Sequence, residues 1–197
     1  MIRTFAIVSM AALTLAACQP PAGPTPAPTE PPVTTPTPPV DANAVTGEGW
    51  GALRIGMTLA EITAALGPDA DLAAVGGADP MACDQFRPER APEGMLLMVE
   101  EGRLSRISLI RASTLKTDRG FGLGDSAAAI KAAYGSGAVA SLHKYEAPPA
   151  EYITAWSKAP GDVPGAERGI VYEIGGDGLV KAIHAGGPSI EYVEGCS

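Results

Sequence analysis

The sequence predicts an α+β fold, a tandem repeat of a short helical segment packed on an antiparallel sheet. Three observations predict it. A capped, glycine-bounded helical segment occurs twice at a constant spacing. Each copy is followed by a glycine-turned pair of apolar strands. Finally, the region that can pack is confined to roughly 150 residues behind a proline-rich leader, enough for one domain or two small halves. The boundaries that follow are 1–17, 18–46, 47–116 and 117–197 of the 197-residue chain.

Residues 1–17, MIRTFAIVSMAALTLAA, have the layout of a removable export signal. Arg3 supplies the positive n-region and Phe5 to Leu15 the apolar h-region, and small residues precede the cut. The run falls short of the ~20 apolar residues that span a bilayer. Leu15-Ala16-Ala17-Cys18 resembles the bacterial lipoprotein signal, the lipobox. That resemblance implies cleavage before Cys18, a diacylglycerol thioether on its sulfur and acylation of the new N-terminus. With ~0.8 kcal/mol per buried methylene, three chains anchor in effect permanently where one does so only marginally. Gln19 stands where an Asp implies inner-membrane retention, so the expected address is the periplasmic face of the outer membrane.

Residues 19–40 hold ten of the 19 prolines and a single charge, Glu30. Such a tract has almost nothing to bury and reads as a polyproline-II tether reaching at most roughly 70 Å. Its P-x-x-P pattern (Pro21 to Pro24) fits an SH3-type ligand less well than a standoff. Asp41 to Thr46 continues the linker.

Ile55 to Gly67 aligns without a gap with Leu123 to Gly135, at an offset of 68 residues. Thr58 and Ser126 are N-cap residues, and Glu61 completes a capping box behind Thr58. Leu59, Ile62 and Leu66 recur at helical spacing, as do Ala127, Ile130 and Tyr134. Gly67 and Gly135 suit the C′ position, and Pro68 blocks continuation. Helices of eight residues do not stand alone in water and need a sheet beneath them.

Strands are expected at Met95–Val99 and Leu104–Ile110 around Glu101-Gly102. A second pair, Ile170–Ile174 and Leu179–Ala185, flanks Gly175–Gly178. These hairpins align at an offset of 76, so the second half carries about eight extra residues. Further strands are expected at Leu142–Ala147 and Glu151–Ser157, joined by Pro148-Pro149, and a last one at Ser189–Val193.

The G-M-T-x-x-E-I-x-x-x-L-G pattern of residues 56–67 is similar to that of the SmpA/OmlA lipoproteins and the β-lactamase inhibitory proteins. The resemblance implies a helical segment on an antiparallel sheet, carried twice in the inhibitors. The second copy departs from the pattern, with Asp125 in place of Met57 and Ala129 in place of Glu61.

Cys83 and Cys196 remain after Cys18, and two thiols in an oxidising compartment are expected to pair. A nucleophilic cysteine beside His143 or His184 is the alternative, and neither histidine has a supporting motif. Two scattered histidines and a paired cysteine do not make up the three or four ligands of a metal site. No cofactor motif is found either. Gly120 to Asp125 lacks the spacing of a dinucleotide loop and aligns with the turn entering the first helix. Asp177, in Gly-Gly-Asp-Gly, reads as a hairpin residue rather than a calcium ligand, and Glu100-Glu101 as a solvated hairpin end. With 14 Lys+Arg against 22 Asp+Glu, a formal charge of −8, the chain cannot neutralise phosphates and is not a nucleic-acid binder.

Tyr145, Tyr152, Trp156, Tyr172 and Tyr192 cluster in the second half. Facing outward they form a contact surface of the kind protein partners use; facing inward they are core. The functional expectation is a non-catalytic, lipid-anchored binding or scaffolding module that meets an envelope-assembly component or an enzyme to be inhibited. A cell-wall or glycan-binding module, and an envelope hydrolase with an unrecognised site, are the alternatives.

Overall fold

The computed structural model describes residues 41, 43–71, 77–161, 163 and 165–196. The expected export signal, Cys18 and the expected tether through residue 40 lie outside the described residues. Two two-residue strands, β1 (Gly49–Trp50) and β2 (Leu53–Arg54), form a small hairpin that leads into α1 (Leu59–Leu66). Thr58 caps α1 as expected. Its hydroxyl accepts from the Glu61 N–H, and the Glu61 carboxylate accepts from the Thr58 N–H at 2.8 Å. Gly67, at φ 87°, ends the helix where a side chain would be strained. The second helix, α2 (Ala127–Tyr134), is capped by Ser126 alone and closed by Gly135. Ile62 and Ile130 are the fully buried anchors of the two helices. The buried stripe of α1 runs Ile62, Ala65, Leu66, whereas Leu59, expected on it, is 48% exposed. Its backbone N–H is tied to Gly102 O at the tip of the neighbouring hairpin, which holds the first residue of the helix at the rim.

Seven strands make one antiparallel sheet: β3 (Cys83–Phe86), β4 (Met95–Glu100), β5 (Arg103–Ile110), β6 (Val139–Leu142), β7 (Glu151–Lys158), β8 (Arg168–Ile174) and β9 (Val180–Gly186). Their spatial order is β3-β4-β5-β9-β8-β7-β6. The predicted halves therefore share one sheet, joined where their last strands pair, Arg106 opposite Gly186 through Ile110 opposite Ala182. The β4–β5 turn is the expected Glu101-Gly102, with both residues at positive φ, the twist that two-residue hairpins require. At the β8–β9 turn, Asp177 accepts from the Leu179 N–H and pairs with Lys181 at 2.6 Å, a turn-capping role.

Three backbone bonds join α1 to its hairpin: Gly56 N to Leu104 O, Leu104 N to Met57 O and Leu59 N to Gly102 O. The same three join α2 to the other hairpin: Gly124 N to Val180 O, Val180 N to Asp125 O and Ala127 N to Gly178 O. The helix positions differ by 68 residues and the hairpin positions by 76, the offsets read from the sequence.

Two expected strands are corrected. The segment Leu142–Ala147 is not a strand: β6 is Val139–Leu142, and pairing stops at His143. There the imidazole Nδ1 accepts from the Tyr145 and Glu146 N–H groups, so a side chain curls the backbone that would have continued the ladder. Ser189–Val193 is not a strand either. Pro188 opens a 3₁₀ turn, Pro188–Glu191, and the chain leaves the sheet.

Alternation assigns the two faces. Leu97, Ile107, Ala185 and Ile170 are successive register partners across four strands, and all belong to the core under both helices. The residues between them, such as Arg106, Ser108, His184, Val171 and Glu173, point to the opposite face.

Candidate functional site

The face away from the helices is covered over only part of its width. After β9 the chain turns at Gly187, whose N–H donates to Ser105 O; its 3₁₀ turn packs on β8, β9 and β5, and the residues that follow run on to β3 as a strap. Arg106, 3% exposed, donates from Nη1 to the carbonyls of Ser189 (3.0 Å) and Tyr192 (2.9 Å). It pins the strap from beneath. Burial lowers this guanidinium to about 10, so it remains a cation at neutral pH. The far end is fixed by the Cys83–Cys196 disulfide, the predicted pair, which ties the last described residue to edge strand β3.

Beyond the strap's flank, towards β7 and β6, the same face is open. A cavity of about 260 Å³ lies between these strands and the strap's flank. Aliphatic side chains (Leu142, Val171, Ile190, Val193) line it together with Tyr152, Thr154 and several polar groups, and Glu173 and His184 rise into it from β8 and β9. These two belong to a connected polar group. His143 Nε2 lies 3.3 Å from Glu173 Oε1, and His184 Nε2 lies 3.7 Å from Glu173 Oε2. Behind His184, Ser108 Oγ is 2.9 Å from Nδ1. Tyr152 stacks on the His143 ring, with centroids 4.7 Å apart and planes 17° apart.

The tautomers follow from these contacts. His143 Nδ1 accepts two backbone N–H bonds, so its proton sits on Nε2 and points at Glu173. His184 likewise presents Nε2–H to the carboxylate and takes the Ser108 hydroxyl proton on Nδ1. Burial holds the His184 imidazole below its usual range, against the opposing pull of Glu173. The neighbouring His184 leads the influences that hold the Glu173 carboxyl below the usual carboxylate range, followed by burial, which opposes it, and by His143. Burial thus favours the neutral form of His184, and Glu173 favours its carboxylate. Both ring lone pairs are spent on the protein itself, and among the described residues no three His, Cys, Asp or Glu are arranged to hold a metal ion. Ser108, 1% exposed, sits behind His184 and does not line the cavity, so its hydroxyl is not presented to a substrate.

The five aromatic residues do not form one surface. Tyr172 is fully buried and is a correction to the contact surface expected from sequence. Strand alternation puts it on the helix side, where its hydroxyl meets Thr117 Oγ1 (3.1 Å) and the Tyr134 hydroxyl (2.9 Å). Burial raises its phenol far above the ordinary range. Trp156 is half-buried. It folds over Gly169, where a Cβ would stand 2.7 Å from its ring, and lines a different cavity of about 430 Å³ beside Tyr134. Only Tyr152 lines the Glu173 cavity. Tyr145, 62% exposed, stands edge-on to His143 in the loop after β6. Tyr192, 46% exposed, belongs to the strap.

Glu173, His143 and His184 were not among the expected site residues. A local signal existed: Glu173 and His184 are polar interruptions of apolar strands, Val171-Tyr172-Glu173-Ile174 and Ala182-Ile183-His184-Ala185. Their meeting depends on the register of β8 against β9, which sets Val171 opposite His184 and leaves Glu173 on the diagonal. Comparison with family models, curated proteins and solved structures gives no match.

Proposed function

We propose that this chain is a lipid-anchored, non-catalytic binding module of a bacterial envelope, which offers the open part of its sheet face beside the strap to a protein partner. The observation that carries the reading is the asymmetry of the face: the strap covers it from β8 across to β3, and at the strap's flank a preformed cavity remains. Beside that cavity, Leu142 is 77% exposed, Val139 69% and Tyr145 62%. Large apolar side chains grouped at a rim are a common mark of an interaction site. Anchoring comes from Cys18, and the Pro-rich tether holds the domain off the outer membrane.

The recurrence of the three helix-to-hairpin bonds at the two sequence offsets supports a duplicated helix-and-strands unit. It also supports the likeness to the SmpA/OmlA and β-lactamase inhibitory proteins, since the latter carry the unit twice.

Two experiments test the reading. Labelled palmitate fed to expressing cells is expected to mark the wild-type chain and not Cys18→Ala; label on the variant removes the anchor. A photo-crosslinking residue placed at Leu142 in living cells is expected to give one discrete protein adduct. The same residue at Met81, 84% exposed near the strapped region, is expected to give none. Equal adducts at both positions, or specific retention of the protein on purified peptidoglycan with no adduct, overturn the protein-docking reading.

A further inference from the structure

We propose that the Glu173 cavity receives a basic side chain, lysine or arginine, from the docked protein. The source of the cation rests on the docking reading above; its chemistry rests on the cavity. Glu173 is a carboxylate with four lone-pair sites, and the two imidazole N–H groups engage at most one on each oxygen. At 3.7 Å, His184 Nε2 stands farther from Oε2 than a hydrogen bond. Glu173 favours its carboxylate form, and 30% of its side chain is exposed. A second carboxylate, Glu191, lines the cavity. The one cation in the lining, Lys144, is turned to Glu194 at 3.5 Å and to the Tyr145 ring at 5.3 Å. Arg106, buried on the same face, feels the Glu173 charge but gives its Nη1 bonds to the strap carbonyls, so two carboxylates in the lining face one cation there and one beneath the strap.

The shape agrees with the charge. Aliphatic side chains around a carboxylate match a methylene stem ending in an ammonium or guanidinium group. A volume of about 260 Å³ lies just under the ~300–1,000 Å³ typical of small-molecule sites and suits a single side chain. An anionic group meets the Glu173 charge. A neutral apolar group strips water from the carboxylate and gives nothing back, so it is rejected as well.

The chain contains two histidines, and both are in this cluster, so imidazole resonances report on the site without ambiguity. The full chain, purified in detergent micelles, is titrated with Nα-acetyl-lysine methylamide, its arginine counterpart and the neutral norleucine counterpart. At least one cationic probe is expected to move both imidazole signals saturably and to bind at least about tenfold tighter than norleucine, the worth of one charge-assisted hydrogen bond. Glu173→Gln is expected to erase that preference. Thr154→Phe, which fills the cavity from β7 and keeps the Glu173 charge, is expected to weaken every probe. Norleucine binding as well as the cations, a saturable response to neither cation, or undiminished binding by Thr154→Phe each overturns the proposal. Saturable cation binding without an adduct at Leu142 removes the protein as the source and leaves a free amine. An adduct at Leu142 that survives Glu173→Gln leaves the docking reading standing and removes the basic side chain.

Discussion

Two regions of the sheet present the same kind of surface to the same side, and the molecule treats them oppositely. Under the strap, Arg106 points up from β5, and its charge is spent on two backbone carbonyls. At the strap's flank, Glu173 points up from β8, and its carboxylate is approached by two imidazoles with part of it still open. The difference teaches what a buried charge is for in each place. Arg106 gives both its bonds, from Nη1, to a segment of its own chain and so fixes that segment, while its buried Nε has no hydrogen-bond partner. Glu173 feels the Arg106 charge but is not bonded to it, so its remaining lone pairs face whatever enters the cavity.

The largest way to break this comparison is to release the strap. The disulfide closes a loop with a sequence separation of 113. A loop of that length stabilises by about 4–5 kcal/mol in the chain-entropy account. Urea unfolding of Cys83→Ser/Cys196→Ser is expected to show a loss of that order. Hydrogen exchange is expected to rise first in 188–196 and β3, with β7 and β8 protected until global unfolding. Uniform deprotection of all strands would show that the strap and the sheet are one cooperative unit, and the division into a locked and an open region would fail.

A smaller effect separates the two charges by pH. His184 is held below its usual range by burial, so the unfolded chain takes up the proton before the folded one does. Stability is therefore expected to fall as pH drops below about 6.5, by at most about 1.4 kcal/mol per pH unit for one proton. The depressed Glu173 carboxyl works in a lower window: its stabilisation is present above the usual carboxylate range and is lost only as pH falls through its lower folded value. Arg106, at about 10, does not titrate in either window. Urea midpoints at pH 7.5 and 5.5 check this, with His184→Gln expected to flatten the difference. A wild-type midpoint unchanged between the two values would mean that His184 takes its proton in place, contrary to its burial.

Much of the fold was legible in the sequence because its signals are local. Thr58 with Glu61, Ser126, Gly67 and the Glu101-Gly102 turn each act within a few residues, and the structure realises them where the chain places them. The Cys83–Cys196 pair followed from counting thiols. The site was not legible, because none of its contacts is local: Glu173 meets His184 through strand register, and His143 reaches it by folding back over Tyr152. The last segment was misread for a related reason. Ser189 to Val193 has the alternation of a strand, but Pro188 and the carbonyls claimed by Arg106 hold it as a strap, and Arg106 is far away in sequence. Tyr172 was misjudged with the other aromatics because residue type alone does not give the face. Ile170, Tyr172 and Ile174 share a side, and it is the helix side.

The smallest effect sharpens the likeness of the halves themselves. Thr58 and Ser126 do the same work, each accepting from the N–H three residues on, at 3.4 Å and 3.2 Å respectively. They differ in what returns the bond. Glu61 reaches back to the Thr58 N–H at 2.8 Å and also takes the Thr58 hydroxyl proton. Ala129, at the matching position of α2, has nothing to return. Thr58→Ala therefore removes a donor to Glu61 as well as the cap, whereas Ser126→Ala removes the cap alone. Both are expected to cost about 1 kcal/mol, the ordinary worth of an N-cap, with Thr58→Ala the costlier by a few tenths. The Glu61→Ala chain is the control, because it turns α1 into a copy of α2, and in that background the two cap substitutions should cost the same. Equal costs in the wild-type chain would show that the reciprocal bond adds nothing in water. Costs still unequal in the Glu61→Ala background would place the difference in the packing of Ile62 and Ile130 instead, and the two helices would then be alike in capping but not in seating.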